Sequence, residues 1–109
     1  MRALITGLAG PRLGAAEAEF LRRVRPCGII LFARNLVSLE QIAALVAAAR
    51  AAIGPGDVLV LIDQEGGRVQ RLRPPLGRAL PPASAYAALY AADPEAACAA
   101  ARSQARLVA

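Results

Sequence analysis

Nine consecutive residues, Asp63-Gln64-Glu65-Gly66-Gly67-Arg68-Val69-Gln70-Arg71, gather two carboxylates, two carboxamides, two glycines and two arginines. Side chains alternate along an extended chain, so a short extension past residue 62 points Asp63 and Glu65 the same way and Gln64 the other. Gly66-Gly67 then allows a turn through backbone angles that other residues avoid, and leaves space for a ligand or another backbone. Arg68 and Arg71 meet the carboxylates, or a polyhydroxylated or anionic ligand, from the far side of that turn. An ion-paired surface turn accounts for the same residue types equally well.

The elements that must position these groups alternate strand and helix. Val58-Leu59-Val60-Leu61-Ile62 is a continuous apolar run, the pattern of a parallel strand buried on both faces, and its polar groups begin where α/β folds place chemistry, at the carboxyl end. Residues 3–8 read as a first strand, ended by Gly10-Pro11, and 28–33 as a second, with Arg34-Asn35 at its carboxyl end. Between them, Phe20, Leu21 and Val24 among charged residues predict a helix over 15–24. Ser38-Leu39-Glu40-Gln41 is a capping box, and Ile42, Leu45, Val46, Ala49 and Ile53 fall on one face of the helix it opens, which Gly54-Pro55-Gly56 stops. The βαβαβ order calls for parallel strands joined by right-handed crossovers. Residues 64–82 make a long connection whose four late prolines, 74, 75, 81 and 82, argue for a fixed shape. A short helix is predicted over 83–90, and Asp93-Pro94-Glu95 starts another that runs to the end of the sequence with no stop signal. The expectation is therefore the first part of a longer α/β protein, with a doubly wound sheet and a (β/α)8 barrel both compatible with the periodicity.

Composition narrows the classes. At 57% hydrophobic the 109 residues are too apolar for disorder. A net charge of +5 raises nucleic-acid binding, but the arginines are scattered, aromatics are few and no basic run exists, so no nucleic-acid partner is expected. Cys27 and Cys98 lack metal-ligand or redox spacing and there is no histidine, so neither a metal nor another cofactor is expected. No apolar run approaches the roughly 18 residues of a membrane span, and reduced thiols suit a cytoplasmic location.

Gly28-Ile29-Ile30-Leu31-Phe32-Ala33-Arg34-Asn35, followed by Leu61-Ile62-Asp63-Gln64-Glu65-Gly66-Gly67-Arg68-Val69-Gln70-Arg71-Leu72, closely resembles the bacterial β-N-acetylhexosaminidases of glycoside hydrolase family 3. The second block is shared across that family, and the first narrows the resemblance to its N-acetylglucosaminidase branch. Leu80-Pro81-Pro82 and Asp93-Pro94-Glu95 extend the similarity over the whole chain, which looks like about the first third of such an enzyme. The resemblance implies about three βα units of a (β/α)8 barrel, with strands in the order 1-2-3 and helices on one side, residues 1–109 being an incomplete catalytic domain. It further implies retaining hydrolysis of terminal β-linked N-acetylglucosamine, typically from muropeptides in cell-wall recycling. The aspartate nucleophile and the histidine acid/base of that branch lie beyond these residues, so the chain alone is expected to be inactive.

For this chain the resemblance assigns sugar binding to Asp63 and Arg71. A carboxylate accepts from two vicinal hydroxyls, and a guanidinium orients it and donates to sugar oxygens. Glu65 invites a reading as the second carboxylate of a glycosidase pair, but residues two apart on one strand cannot flank a glycosidic bond from opposite sides. Glu65 is expected to partner Arg68 or Arg71, and Arg34 and Asn35 to be structural at the barrel rim. Another family 3 β-glycosidase, or a small basic α/β binding module without catalysis, are the rival readings. A nucleotide-binding domain is disfavoured, since Gly7-Leu8-Ala9-Gly10-Pro11 matches neither phosphate-binding glycine pattern.

Overall fold

The computed structural model describes residues 2–108 and separates them into two units, one ending at Asp63 and one starting at Gln64. The first unit runs β1 (Arg2–Gly7), α1 (Ala15–Val24), β2 (Pro26–Leu31), a 3-10 turn (Ala33–Asn35), α2 (Leu39–Ile53) and β3 (Leu59–Ile62). Its three strands form one sheet, parallel as the alternation predicts and in the order β1-β2-β3 expected of the barrel resemblance. The β2–β3 register is regular from Gly28↔Leu59 to Leu31↔Ile62, whereas β1 slips against β2 between Arg2 and Ile5.

Both helices of this unit lie on one face of the sheet. Leu21 of α1 and Leu45, Ala49 and Ile53 of α2 bury themselves in one cluster with Ile29 and Leu31 of β2. The predicted apolar stripe of α2 is therefore the packing stripe, Ile42 and Val46 flanking it half-buried. On α1, Leu21 is fully buried but Phe20 is exposed, so Leu21 centres the packing face and Phe20, predicted to share it, lies at its edge.

Capping follows local chemistry. Ser38 Oγ accepts from the Gln41 amide at 3.1 Å, while Gln41 Oε1 accepts from the amide of Val37, one residue earlier than a standard capping box. At the other end Arg25 Nε donates to the Ile53 carbonyl at 3.1 Å and its Nη2 to that of Pro55, serving carbonyls left free at the end of α2. Arg25 itself takes a left-handed conformation, φ 49°, which ends α1 and turns the chain into Pro26.

One expectation fails in the first unit. Residues 58–62 read as a strand buried on both faces, yet Leu59 is 54% exposed and Val60 and Leu61 are exposed too, while only Val58, just outside the strand, is buried. β3 is the last strand of a three-stranded sheet, so it has a neighbour on one side only, and the sheet face away from α1 and α2 carries no layer of helices within this unit.

The second unit opens with a small antiparallel hairpin, β4 (Gln64–Gly66) with β5 (Val69–Gln70), within the stretch expected to be a long connection of fixed shape. A loop through residue 82 leads to α3 (Ala83–Ala92) and α4 (Pro94–Val108), which pack against one another. Asp93 Oδ1 accepts from the Ala96 amide at 2.9 Å, so Asp-Pro-Glu starts α4 by the capping its residue types predict. No helix of the described residues is long and apolar enough to cross a membrane.

Candidate functional site

The carboxyl ends of β1, β2 and β3 come together in the first unit. A Cβ added to Gly28 would lie 3.0 Å from Leu59 Cβ and 3.4 Å from Ile5 Cγ1, which puts Ile5, residue 28 and Leu59 on the sheet face opposite the helices. By alternation Gly7, Ile30 and Leu61 follow on that face, and Phe32 and Asp63 come next, one step past the registered pair Leu31↔Ile62. Asp63 is half-buried there.

Phe32 and Arg34 fold over the end of β1. A Cβ on Gly7 would stand 3.2 Å from both Arg34 Nη2 and Phe32 Cε2, so the missing side chain is what admits them. Arg34 Nε donates to the Leu8 carbonyl at 2.8 Å, and the guanidinium carbon sits 4.7 Å from the centroid of the Phe32 ring, a cation–π contact. Asn35 is fully buried. Its Nδ2 donates to the carbonyls of Leu8 at 3.1 Å and Gly10 at 2.9 Å, and its Oδ1 accepts from the Phe32 amide at 2.9 Å. Gln41 Nε2 donates to the Asn35 carbonyl at 3.0 Å. Asn35 thus ties the loop after β1, the end of β2 and the start of α2 to one another.

Glu65, Arg68 and Arg71 belong to the second unit, where two glutamines organise the chain around them. Gln64 Oε1 accepts from the amides of Arg71 and Leu72, and its Nε2 donates to the Leu72 carbonyl at 2.9 Å. Gln70 is buried, donating to the carbonyls of Leu72 and Arg78 and accepting from the Leu80 amide at 3.0 Å. Arg73 reaches back to the carbonyls of Gln70 and Arg68. Arg71 is half-buried and Arg68 exposed.

One detail of the motif differs from the sequence reading, and an alternative that reading left open is decided. Among the described residues the Glu65 carboxylate makes no ion pair with Arg68 or Arg71: it is exposed, and its carbonyl accepts from Gln104 Nε2 of α4 at 3.2 Å. The hairpin turn directs it outward, because Gly66 and Gly67, at φ 91° and 58°, reverse the chain immediately after it. The space beside Gly66 is taken by backbone and that beside Gly67 by a proline ring. A Cβ on Gly66 would lie 2.1 Å from the Pro81 carbonyl oxygen, and one on Gly67 2.7 Å from Pro82 Cβ.

Sequence reasoning passed over Gly7, Phe32, Gln64 and Gln70. Phe32 reads as one more apolar strand residue, and only the register sets it level with Asp63. The glutamines had a signal, two carboxamides inside a motif of charges, but their partners are main-chain groups invisible in a side-chain pattern. Among the described residues no cluster of metal-ligating groups occurs.

A parallel βαβαβ sheet with polar groups at its carboxyl ends defines an α/β protein of the class that binds ligands at that end. Comparison with known proteins narrows this. The chain is 50% identical over 97% of its length to a β-hexosaminidase of Xanthomonas axonopodis pv. citri and equally so to one of Xanthomonas euvesicatoria pv. vesicatoria. It spans 31% of the length of each. Among solved structures it is similar to NagZ from Neisseria gonorrhoeae in complex with N-trifluoroacetyl-D-glucosamine, with a TM-score of 0.88, 31% identity, and coverage of 96% of this chain and 31% of that one. No family profile matches the chain. The resemblance to bacterial β-hexosaminidases drawn from the motif residues is borne out.

Proposed function

We propose that these residues are an incomplete N-terminal portion of a family 3 (β/α)8 hydrolase that removes terminal, non-reducing β-linked N-acetylglucosamine. Asp63 and Arg71 serve as sugar-binding residues. The observation that carries the reading is the 50% identity to β-hexosaminidases over 97% of the chain, supported by likeness to a structure holding an N-acylated glucosamine. The barrel is supported by parallel strands in chain order with α1 and α2 on one face and Ile5, Leu59 and Leu61 open on the other, the side that would become a barrel interior.

In this reading Asp63 accepts hydrogen bonds from sugar hydroxyls at the carboxyl end of β3, and Arg71 donates to oxygens of the same sugar. The groups that break the glycosidic bond are supplied by the rest of the enzyme; no histidine is present among these 109 residues to act as its acid/base. Muropeptides in the cytoplasm are the proposed natural substrates. The test is to extend the chain to the length of its relatives and compare turnover of chromogenic β-N-acetylglucosaminide and β-glucoside. Preference for the N-acetylated sugar supports the proposal; preference for the glucoside favours a β-glucosidase of the same family, and turnover of neither favours a binding module.

A further inference from the structure

Arg71 lies one residue past β5, where the hairpin's paired register has already ended at Gln64↔Gln70. No ladder therefore sets its direction. Peptide units are planar, so φ and ψ alone decide where a Cβ points, and they are fixed when the two planes that meet at the Cα are fixed. All four polar groups of those two planes are hydrogen-bonded. In the plane joining Gln70 to Arg71, the carbonyl accepts from Arg73 Nε at 2.9 Å and the amide donates to Gln64 Oε1 at 3.1 Å. In the plane joining Arg71 to Leu72, the carbonyl accepts from the Arg73 amide at 3.1 Å and the amide donates to the same Gln64 oxygen at 3.0 Å.

One side-chain oxygen thus grips both planes at once. Its own carboxamide is held in turn, because Gln64 Nε2 donates to the Leu72 carbonyl at 2.9 Å, and that carbonyl also accepts from Gln70 Nε2 at 2.8 Å. Gln64 directly follows Asp63 in the chain, so its side chain bridges a covalent path that otherwise runs round the whole hairpin. We propose that Gln64 is the positioning residue of Arg71, aiming the guanidinium at the sugar by fixing the main chain of residues 71 and 72. This rests on the hydrolase reading above, in which Arg71 donates to sugar oxygens.

The experiment uses the chain extended to the length of its relatives and reads kcat/KM on a chromogenic β-N-acetylglucosaminide through a double-mutant cycle of Gln64→Leu and Arg71→Ala. Gln64→Leu alone is expected to lower kcat/KM about tenfold, because a misdirected donor loses its place against the sugar. In the Arg71→Ala background the same substitution should lower it less than about twofold, since no guanidinium is left to aim. Gln64→Glu keeps an oxygen for both amides and should retain at least about a third of the unsubstituted value. Should Gln64→Leu not fold, Gln64→Asn, polar but one methylene too short, takes its place in the cycle. Losses that add across the two backgrounds would make Gln64 a pin for the hairpin alone and overturn the assignment. So would full kcat/KM in the Gln64 variants, or a Gln64→Glu as poor as Gln64→Leu. Arg71→Ala with unchanged kinetics would remove Arg71 from the sugar, and this assignment with it. Turnover of neither this substrate nor the β-glucoside by the unsubstituted enzyme would instead overturn the hydrolase reading itself.

Discussion

Asn35 and Asp63 stand at the ends of neighbouring strands, and the structure gives them different energetic roles. Asn35 has no exposed surface and every bond its side chain makes is to main chain, so Asn35→Ala takes the acceptor from the Phe32 amide and the donor from the Gly10 carbonyl, and leaves the Leu8 carbonyl to Arg34 Nε. The expected cost is about 1–3 kcal/mol of unfolding free energy, the range for a buried polar group left unsatisfied, read as a shift in the urea midpoint. Asp63 is half-buried at the rim, and in the complete enzyme Asp63→Ala should act on the ligand. Loss of about 2–4 kcal/mol of transition-state binding is expected in kcat/KM on an N-acetylglucosaminide, with circular dichroism unchanged. Kinetics untouched by the substitution would remove Asp63 from the site.

The elements make their own predictions, at the turn and at the helix start. Gly66 has φ 91° and its missing side chain is replaced by the Pro81 carbonyl, so Gly66→Ala meets both a disfavoured backbone angle and a hard contact. Destabilisation of at least about 2 kcal/mol is expected, with loss of the hydrogen-exchange protection of the Gly67 amide, which donates to the Leu80 carbonyl at 2.9 Å. At the start of α2, a hydrogen bond from its own backbone amide and then the Ser38 hydroxyl hold the Glu40 carboxylate below its ordinary value of 4.5, against a small opposing desolvation. A depressed carboxylate stabilises the fold above its unfolded value and loses that contribution as pH falls through the folded one. The stability difference between the unsubstituted chain and Glu40→Gln should therefore be constant at neutral pH and shrink below 4.5. A difference that grew on acidification would reverse the assignment.

For the molecule as a whole, the expectation is that these 109 residues by themselves hydrolyse nothing. They contain no histidine, and Ile5, Leu59 and Leu61 leave an apolar surface on the open face of the sheet that favours association. Assay of the purified chain with a chromogenic β-N-acetylglucosaminide, with its mass followed by light scattering, checks both expectations. Turnover that tracks a monomer would contradict them and move catalysis inside this stretch.

The strands themselves, both sheet-packing helices and the caps at Ser38 and Asp93 were legible in the chain itself, because each depends on contacts within a few residues or on a period that repeats along one element. Asp63 was legible as a candidate for the same reason: a carboxylate directly after an apolar strand stands at a carboxyl end whatever the fold. Tertiary structure alone decided that Glu65 turns to solvent, that residues 80–82 fill the space beside Gly66 and Gly67, and that Arg34 is stacked and anchored beside Gly7. These outcomes depend on which distant main-chain groups approach one another. Residue types and spacing carry little trace of that, since a carbonyl such as that of Leu8 or Pro81 looks the same in every amino acid.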